Sequence, residues 1–162
     1  MRKIFLFLSV MILLSSCSTT YYIVRHAEKD IQSDPKDPGL TMAGLQRAED
    51  LKNLLVDKRI GKIYSTQTKR TIATAQPLSI ATNIPIDSCP GFPDEPFINS
   101  LKKEKKNTLI VGHSNTVDDI VNMLTGQSHL QDLPDPTYNQ IFIIHRKGKN
   151  YSFEQKSFGA TD

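Results

Sequence analysis

Short apolar runs alternate along this chain with longer segments whose apolar residues recur every three or four positions. The runs, about Thr20 to Val24, Lys62 to Tyr64, Ile84 to Ile86 and Thr108 to Val111, have the length of strands and carry almost no charge. Strands of that kind are buried on both faces, as in a parallel sheet covered by helices. Thr41 caps a predicted helix carrying Leu45, Ala48, Leu51, Leu54 and Leu55. A second helix is expected from Gln67 to Ala81, interrupted near Pro77, then a short lysine-rich helix, and a last one from Val117 to Leu124. Ile141 to His145 and Tyr151 to Glu154, joined through Lys147-Gly148-Lys149, predict a closing hairpin. Strands alternating with helices define the α/β class. The expected architecture is a three-layer α/β/α sandwich with a mostly parallel central sheet and a C-terminal antiparallel hairpin. Three prolines and a glycine between Asp87 and Pro96 make that segment an irregular loop and a candidate lid.

The first residues follow a different pattern. Arg2 and Lys3 precede an apolar run from Ile4 to Leu14, which ends in Ser15-Ser16-Cys17. This is the layout of an export signal, too short to span a membrane comfortably. The Leu14-Ser15-Ser16-Cys17 ending resembles a bacterial lipoprotein signal, in which the cysteine receives lipid and becomes the mature N-terminus. The resemblance implies a signal peptide over residues 1–16, one domain over 17–162, lipid on Cys17, and an exported lipoprotein on a membrane of the cell envelope. Setting the leader aside takes the net charge from +3 to about +1, so nucleic-acid binding gains no support. The run of Lys102, Lys103, Lys105 and Lys106 is interrupted by Glu104 and reads as a solvated helix end. Two cysteines, one of them lipidated, leave Cys89 without a partner for a disulfide framework. The four histidines are scattered and no metal-ligand spacing occurs, so a metal is not expected.

Chemistry concentrates where strands stop. Ile23-Val24 runs directly into Arg25-His26, and Ile110-Val111-Gly112 into His113. Between them Tyr64 ends a strand, and the helix after it begins with Ser65, Thr66 and Arg70 close by. In open α/β folds ligands collect outside the carboxyl ends of strands. A neutral imidazole there can act as nucleophile or base, and a neighbouring arginine suits an anion such as phosphate.

These motifs, RHAEK at 25–29 and GHSNT at 112–116, resemble those of the histidine phosphatase superfamily, the phosphoglycerate mutase-like fold. Leu40-Thr41, Gly44 and Arg47-Ala48-Glu49 are similar to its first helix, Ser65 through Arg70 to Ala75 to its second, and Tyr138 to Phe142 to its last strand. The resemblance implies that His26 is phosphorylated during turnover, with Arg25, Arg70 and His113 around the phosphoryl oxygens. It implies a small phosphorylated substrate or a phosphoprotein, and a route through the phosphohistidine that requires neither a metal nor an organic cofactor. A leaving-group acid comes in many such proteins from the loop after the third strand, where Asp94 and Glu95 are the candidates. Asp118 is instead expected to complement the dipole of its helix. Ser114, Asn115 and Lys29 are secondary candidates for phosphate binding. A non-catalytic phosphate-binding envelope lipoprotein is the competing reading, and a phosphoglycerate mutase-type phosphotransferase is a third. His129 and His145 carry no motif and read as loop and strand residues.

Overall fold

The computed structural model describes residues 18–161; the expected signal peptide and Cys17 lie outside the described residues. β1 (Ser18–Arg25) is followed by α1 (Met42–Leu55), β2 (Ile60–Ser65), α2 (Lys69–Thr82), β3 (Ile86–Ser88), α3 (Glu95–Lys103), β4 (Asn107–Gly112), α4 (Val117–Thr125), β5 (Gln140–Lys147) and β6 (Asn150–Ser157). The six strands lie in the order β3-β2-β4-β1-β5-β6. The first four are mutually parallel, whereas β5 runs antiparallel to β1 and β6 antiparallel to β5. This is the predicted sandwich with its closing hairpin.

Alternation along β1 shows why the run is continuously apolar. Tyr21 and Ile23 point into one core with Ile98, Leu101, Val121 and Leu124 of α3 and α4. Tyr22 and Val24 point into the other, with Leu51, Leu55, Ala75 and Leu78 of α1 and α2. Successive side chains of a strand face opposite sides, so a strand between two helical layers needs an apolar residue at every position. Parallel register then sets the chemistry: Arg25 is level with Gly112, so the residues that follow, His26 and His113, leave adjacent strands side by side.

Several expectations are corrected. Leu45 and Leu54 are 46% and 38% exposed, and the face that α1 buries is Gly44, Arg47, Ala48, Leu51 and Leu55. Gly44 determines that rotation, because a Cβ there would stand 2.5 Å from the carbonyl oxygen of Glu28. Thr41 caps the helix as predicted, its hydroxyl accepting from the Gly44 amide at 3.1 Å. α2 runs unbroken through Pro77. The proline forfeits one helical hydrogen bond, but Thr74, Ala75 and Leu78 are buried around it and keep the helix on the core. β3 begins after Pro85, which has no N–H for the ladder, two residues later than the Ile84 to Ile86 run, and lies at the edge of the sheet. The proline-rich loop is shorter than predicted, since α3 starts at Glu95 with Asp94 as its cap. Among the described residues no helix is long and apolar enough to cross a membrane.

Candidate active site

The ends of β1 and β4 are stitched together by the His26 amide, which donates to the Gly112 carbonyl at 2.9 Å. The His26 ring, only 3% exposed, has Nδ1 2.8 Å from the carbonyl oxygen of its neighbour Ala27. A carbonyl can only accept, so Nδ1 carries the proton and Nε2 presents its lone pair. The Ala27 amide in turn donates to Thr74 Oγ1 at 2.9 Å, and that hydroxyl donates to the Arg70 carbonyl at 2.7 Å. The loop bearing His26 is thereby pinned to the first turns of α2.

His113 lies edge-on to His26, with ring centroids 5.5 Å apart. Its Nδ1 faces Arg70 Nη2 at 3.5 Å, and its Nε2 lies 2.9 Å from Thr66 Oγ1. A guanidinium can only donate, so Nε2 holds the proton and gives it to Thr66. Thr66 passes its own hydroxyl to Thr71 at 3.0 Å, and Thr71 donates back to the Thr66 carbonyl at 2.8 Å. Buried hydroxyls thus fix both the tautomer and the tilt of the second imidazole.

Arg25 is 3% exposed and lies flat on Tyr138, its guanidinium carbon 4.3 Å from the ring centroid. Its Nη2 meets Asp135 Oδ1 at 2.5 Å and its Nη1 donates to the Thr137 carbonyl at 3.3 Å. Arg70 Nη1 is 3.7 Å from Asp37 Oδ1. The Nε atoms of both arginines are buried without a hydrogen-bond partner among the described residues. Unmet guanidinium donors of this kind suit an oxyanion such as phosphate.

These charges act on the imidazoles. His26 is pushed down to about 3: burial is the main cause, the bond to Ala27 opposes it, and Arg25, Arg70 and His113 depress it further. His113 falls to about 4 through burial, then Arg70 and Arg25. Both rings are therefore neutral at neutral pH, which is the nucleophilic form.

Arg25, His26, Arg70 and His113, singled out from the sequence, form one cluster. Asp94 spends its carboxylate on the helix it caps, accepting from the Phe97 amide at 2.8 Å, and Glu95 opens the same helix. Among the described residues neither is bonded to the His26 cluster. Ser114 and Asn115 form a turn ahead of α4, which starts only at Val117 after Thr116; the Ser114 carbonyl accepts from the Leu133 amide. Lys29 forms a backbone bridge to Leu40, and its charge helps Arg25 hold the Asp135 carboxyl below its ordinary range. Asp118 stands in the first turn of α4 as expected, but it is buried, its carboxyl pushed up chiefly by that burial, and its Oδ1 has no partner among the described residues. No group of three or more potential metal ligands occurs among the described residues.

Sequence reasoning assigned no role to Asp37, Thr74, Asp135 or Thr137. Thr66 and Tyr138 stood inside matched motifs without a role. The pairing of Glu28 with Arg47 was equally hidden. Arg47, 3% exposed, sends Nε and Nη2 to the Glu28 carboxylate at 2.7 to 3.0 Å and Nη1 to the carbonyls of Phe158 and Ala160. It ties the residue two places beyond His26 to the C-terminal segment.

A mostly parallel sheet with a closing antiparallel hairpin, its strand ends bringing Arg25, His26 and His113 together beside Arg70 of α2, is a phosphoglycerate mutase-like α/β fold. Residues 21–94, which carry Arg25, His26 and Arg70, match the profile of the Histidine phosphatase superfamily (branch 1). Solved structures agree in fold. SixA from Agrobacterium tumefaciens, described as a phosphohistidine phosphatase, is 23% identical, with TM-score 0.64 over 86% of this chain and 97% of that one. A mycobacterial glucosyl-3-phosphoglycerate phosphatase is 11% identical, with TM-score 0.68 over 89% and 100%. The phosphoglycerate mutase from Bacillus anthracis is 14% identical, with TM-score 0.62 over 87% and 93%. At such identities the likeness is one of fold. No curated protein matches the sequence.

Proposed function

We propose that the protein is a phosphatase that hydrolyses phosphate monoesters or related phosphoryl groups through a phosphohistidine on His26. The observation that carries this reading is the free Nε2 of a neutral, buried His26, between two arginines whose Nε–H groups have no partner among the described residues. The Nε2 lone pair attacks phosphorus as the bond to the leaving oxygen or nitrogen breaks, and the leaving group departs with the electron pair. Arg25 and Arg70 offset the charge on the phosphoryl oxygens, and His113 completes the ring of groups around them. Water then attacks the phosphohistidine, the N–P bond breaks, and inorganic phosphate leaves with the original imidazole restored. Asp94 and Glu95 remain the candidate proton donors to the leaving group. Their lack of a bond to the cluster favours substrates whose leaving group needs little help, such as phosphohistidine or aryl phosphates. The lipid on Cys17 and the envelope location belong to the same proposal and rest on the sequence of residues 1–17.

Brief incubation with a labelled phosphoryl donor should leave an adduct that is labile in acid and stable in base, and the His26→Ala variant should have none. A wild-type chain that forms no adduct and releases no phosphate from a broad panel would mark a phosphate-binding module instead. Return of the label to an acceptor sugar acid would mark a mutase.

A further inference from the structure

We propose that the end of the sheet opposite the His26 site is a binding surface for anionic lipid headgroups. There the domain rests on the bilayer with the catalytic crevice facing away. β1, β2 and β4 begin at this end, β5 finishes there, and α1 and α3 run out into it. Three stretches far apart in sequence meet on it: the Lys58-Arg59 turn, the lysines from Lys102 to Lys106, and Lys147 with Lys149 of the last hairpin. Their meeting is fixed by contacts at the start of β1. Ser18 pairs with Lys147, Thr20 N donates to Asn107 Oδ1 at 2.9 Å, and Asn107 Nδ2 donates to the Lys58 carbonyl at 2.8 Å. The buried guanidinium of Arg146 holds the carbonyls of Lys102 and Glu104 together with Thr19 Oγ1, so the lysine stretch is anchored to the sheet.

All of these cations are exposed, and none is in an ion pair among the described residues. The acids beside them are Asp57 and Glu104, and one carboxylate oxygen of Glu104 already accepts from the amides of Lys105 and Lys106. In a chain with a net charge of only +3, so cationic an end leaves the remainder net acidic. Along the sequence the lysine run reads as an ordinary helix end; the fold turns it into one part of a continuous basic face.

Charge alone would suit any polyanion, but the position of the chain selects the membrane. The first described residue, Ser18, emerges in the middle of this face, and the sequence just before it is the apolar Ile4 to Leu14 run ending at Cys17. Any attachment of Cys17 to a bilayer sets these cations within a Debye length, about 8–10 Å, of the headgroups. His26 follows the other end of the eight-residue β1, about 25 Å away. The choice of a membrane over other polyanions and the orientation both rest on the proposed lipidation of Cys17, whereas the basic face itself does not.

Among the described residues both cores close around the sheet and its four helices, so residues 18–162 are the part to test without the leader. They should sediment with vesicles containing phosphatidylglycerol at low salt, release at high salt, and ignore vesicles of phosphatidylcholine alone. Converting Lys102, Lys103, Lys105 and Lys106 to glutamate should lower the partition coefficient on the order of 100-fold or more, with aryl phosphate hydrolysis unchanged. Equal binding to both vesicles, undiminished binding by the variant, or a preference for nucleic acid over anionic vesicles at the same salt would overturn the proposal. The His26 adduct assay reports on the phosphatase reading separately. For the lipidated full chain, a fluorophore on Lys149→Cys should be quenched by bilayer-embedded quencher more than one on Lys69→Cys; the reverse order would refute the orientation.

Discussion

Acid should unfold this protein partly through its own nucleophile. His26 takes a proton near 6.5 in the unfolded chain but only near 3 in the folded one. Between those values the unfolded chain binds a proton that the folded chain refuses, so stability is present above 6.5 and is lost as pH falls toward 3. Acidification from about pH 7.5 to about pH 5 should therefore cost about 2 kcal/mol from this residue alone. The ring is only 3% exposed, so solvent screening removes little of that amount. Urea denaturation of the wild type and of His26→Asn at both pH values isolates the effect, because groups unconnected with residue 26 titrate alike in the two proteins. His113 cancels in the same way, since its own depression comes from burial, Arg70 and Arg25, all retained in the variant. The wild type should lose about 2 kcal/mol more than the variant, a shift of about 1 M in urea midpoint. Equal losses would mean that the His26 ring is not held neutral by its surroundings, and the account of the nucleophile would fail with it.

Two further outcomes follow from the ion pairs around the cluster. Arg47→Met strands the Glu28 carboxylate and two carbonyls, and should cost about 3–5 kcal/mol, read as a fall of about 10 °C or more in Tm; a change of only a degree or two would contradict the buried fork. Asp135→Asn releases Nη2 of Arg25 from an aspartate that is 61% exposed, and should tighten competitive inhibition by orthophosphate about two- to fivefold. Weaker inhibition would show that Asp135 assists the anion rather than competing with it.

The central residues of the site were legible because each stands where an apolar strand abruptly stops. Tyr22-Ile23-Val24 and Leu109-Ile110-Val111 advertise buried parallel strands, and parallel strands in register carry His26 and His113 to one level. What supports the cluster was not legible. Asp135 and Tyr138 reach Arg25 from a segment without periodicity, across more than 100 residues of sequence. Apolar spacing also misjudged the rotation of α1, because a pattern of leucines takes no account of Gly44's close approach to Glu28 or of an arginine that is buried because it is paired. The basic face escaped for a related reason. Its three stretches become neighbours only when β1, β2, β4 and the last hairpin are assembled.

Ala27 has a consequence for how sequences of this kind are compared. Its carbonyl orients the nucleophile and its amide grips Thr74, while its methyl group, 1% exposed, touches no chemistry. Selection at this position therefore acts on main-chain geometry and on volume, not on a functional group. Alanine fits the space, proline would remove the donated amide, and a leucine would have nowhere to go. Between the Arg25-His26 pair and Glu28, residue 27 is constrained by its size and its main chain and not by a functional group.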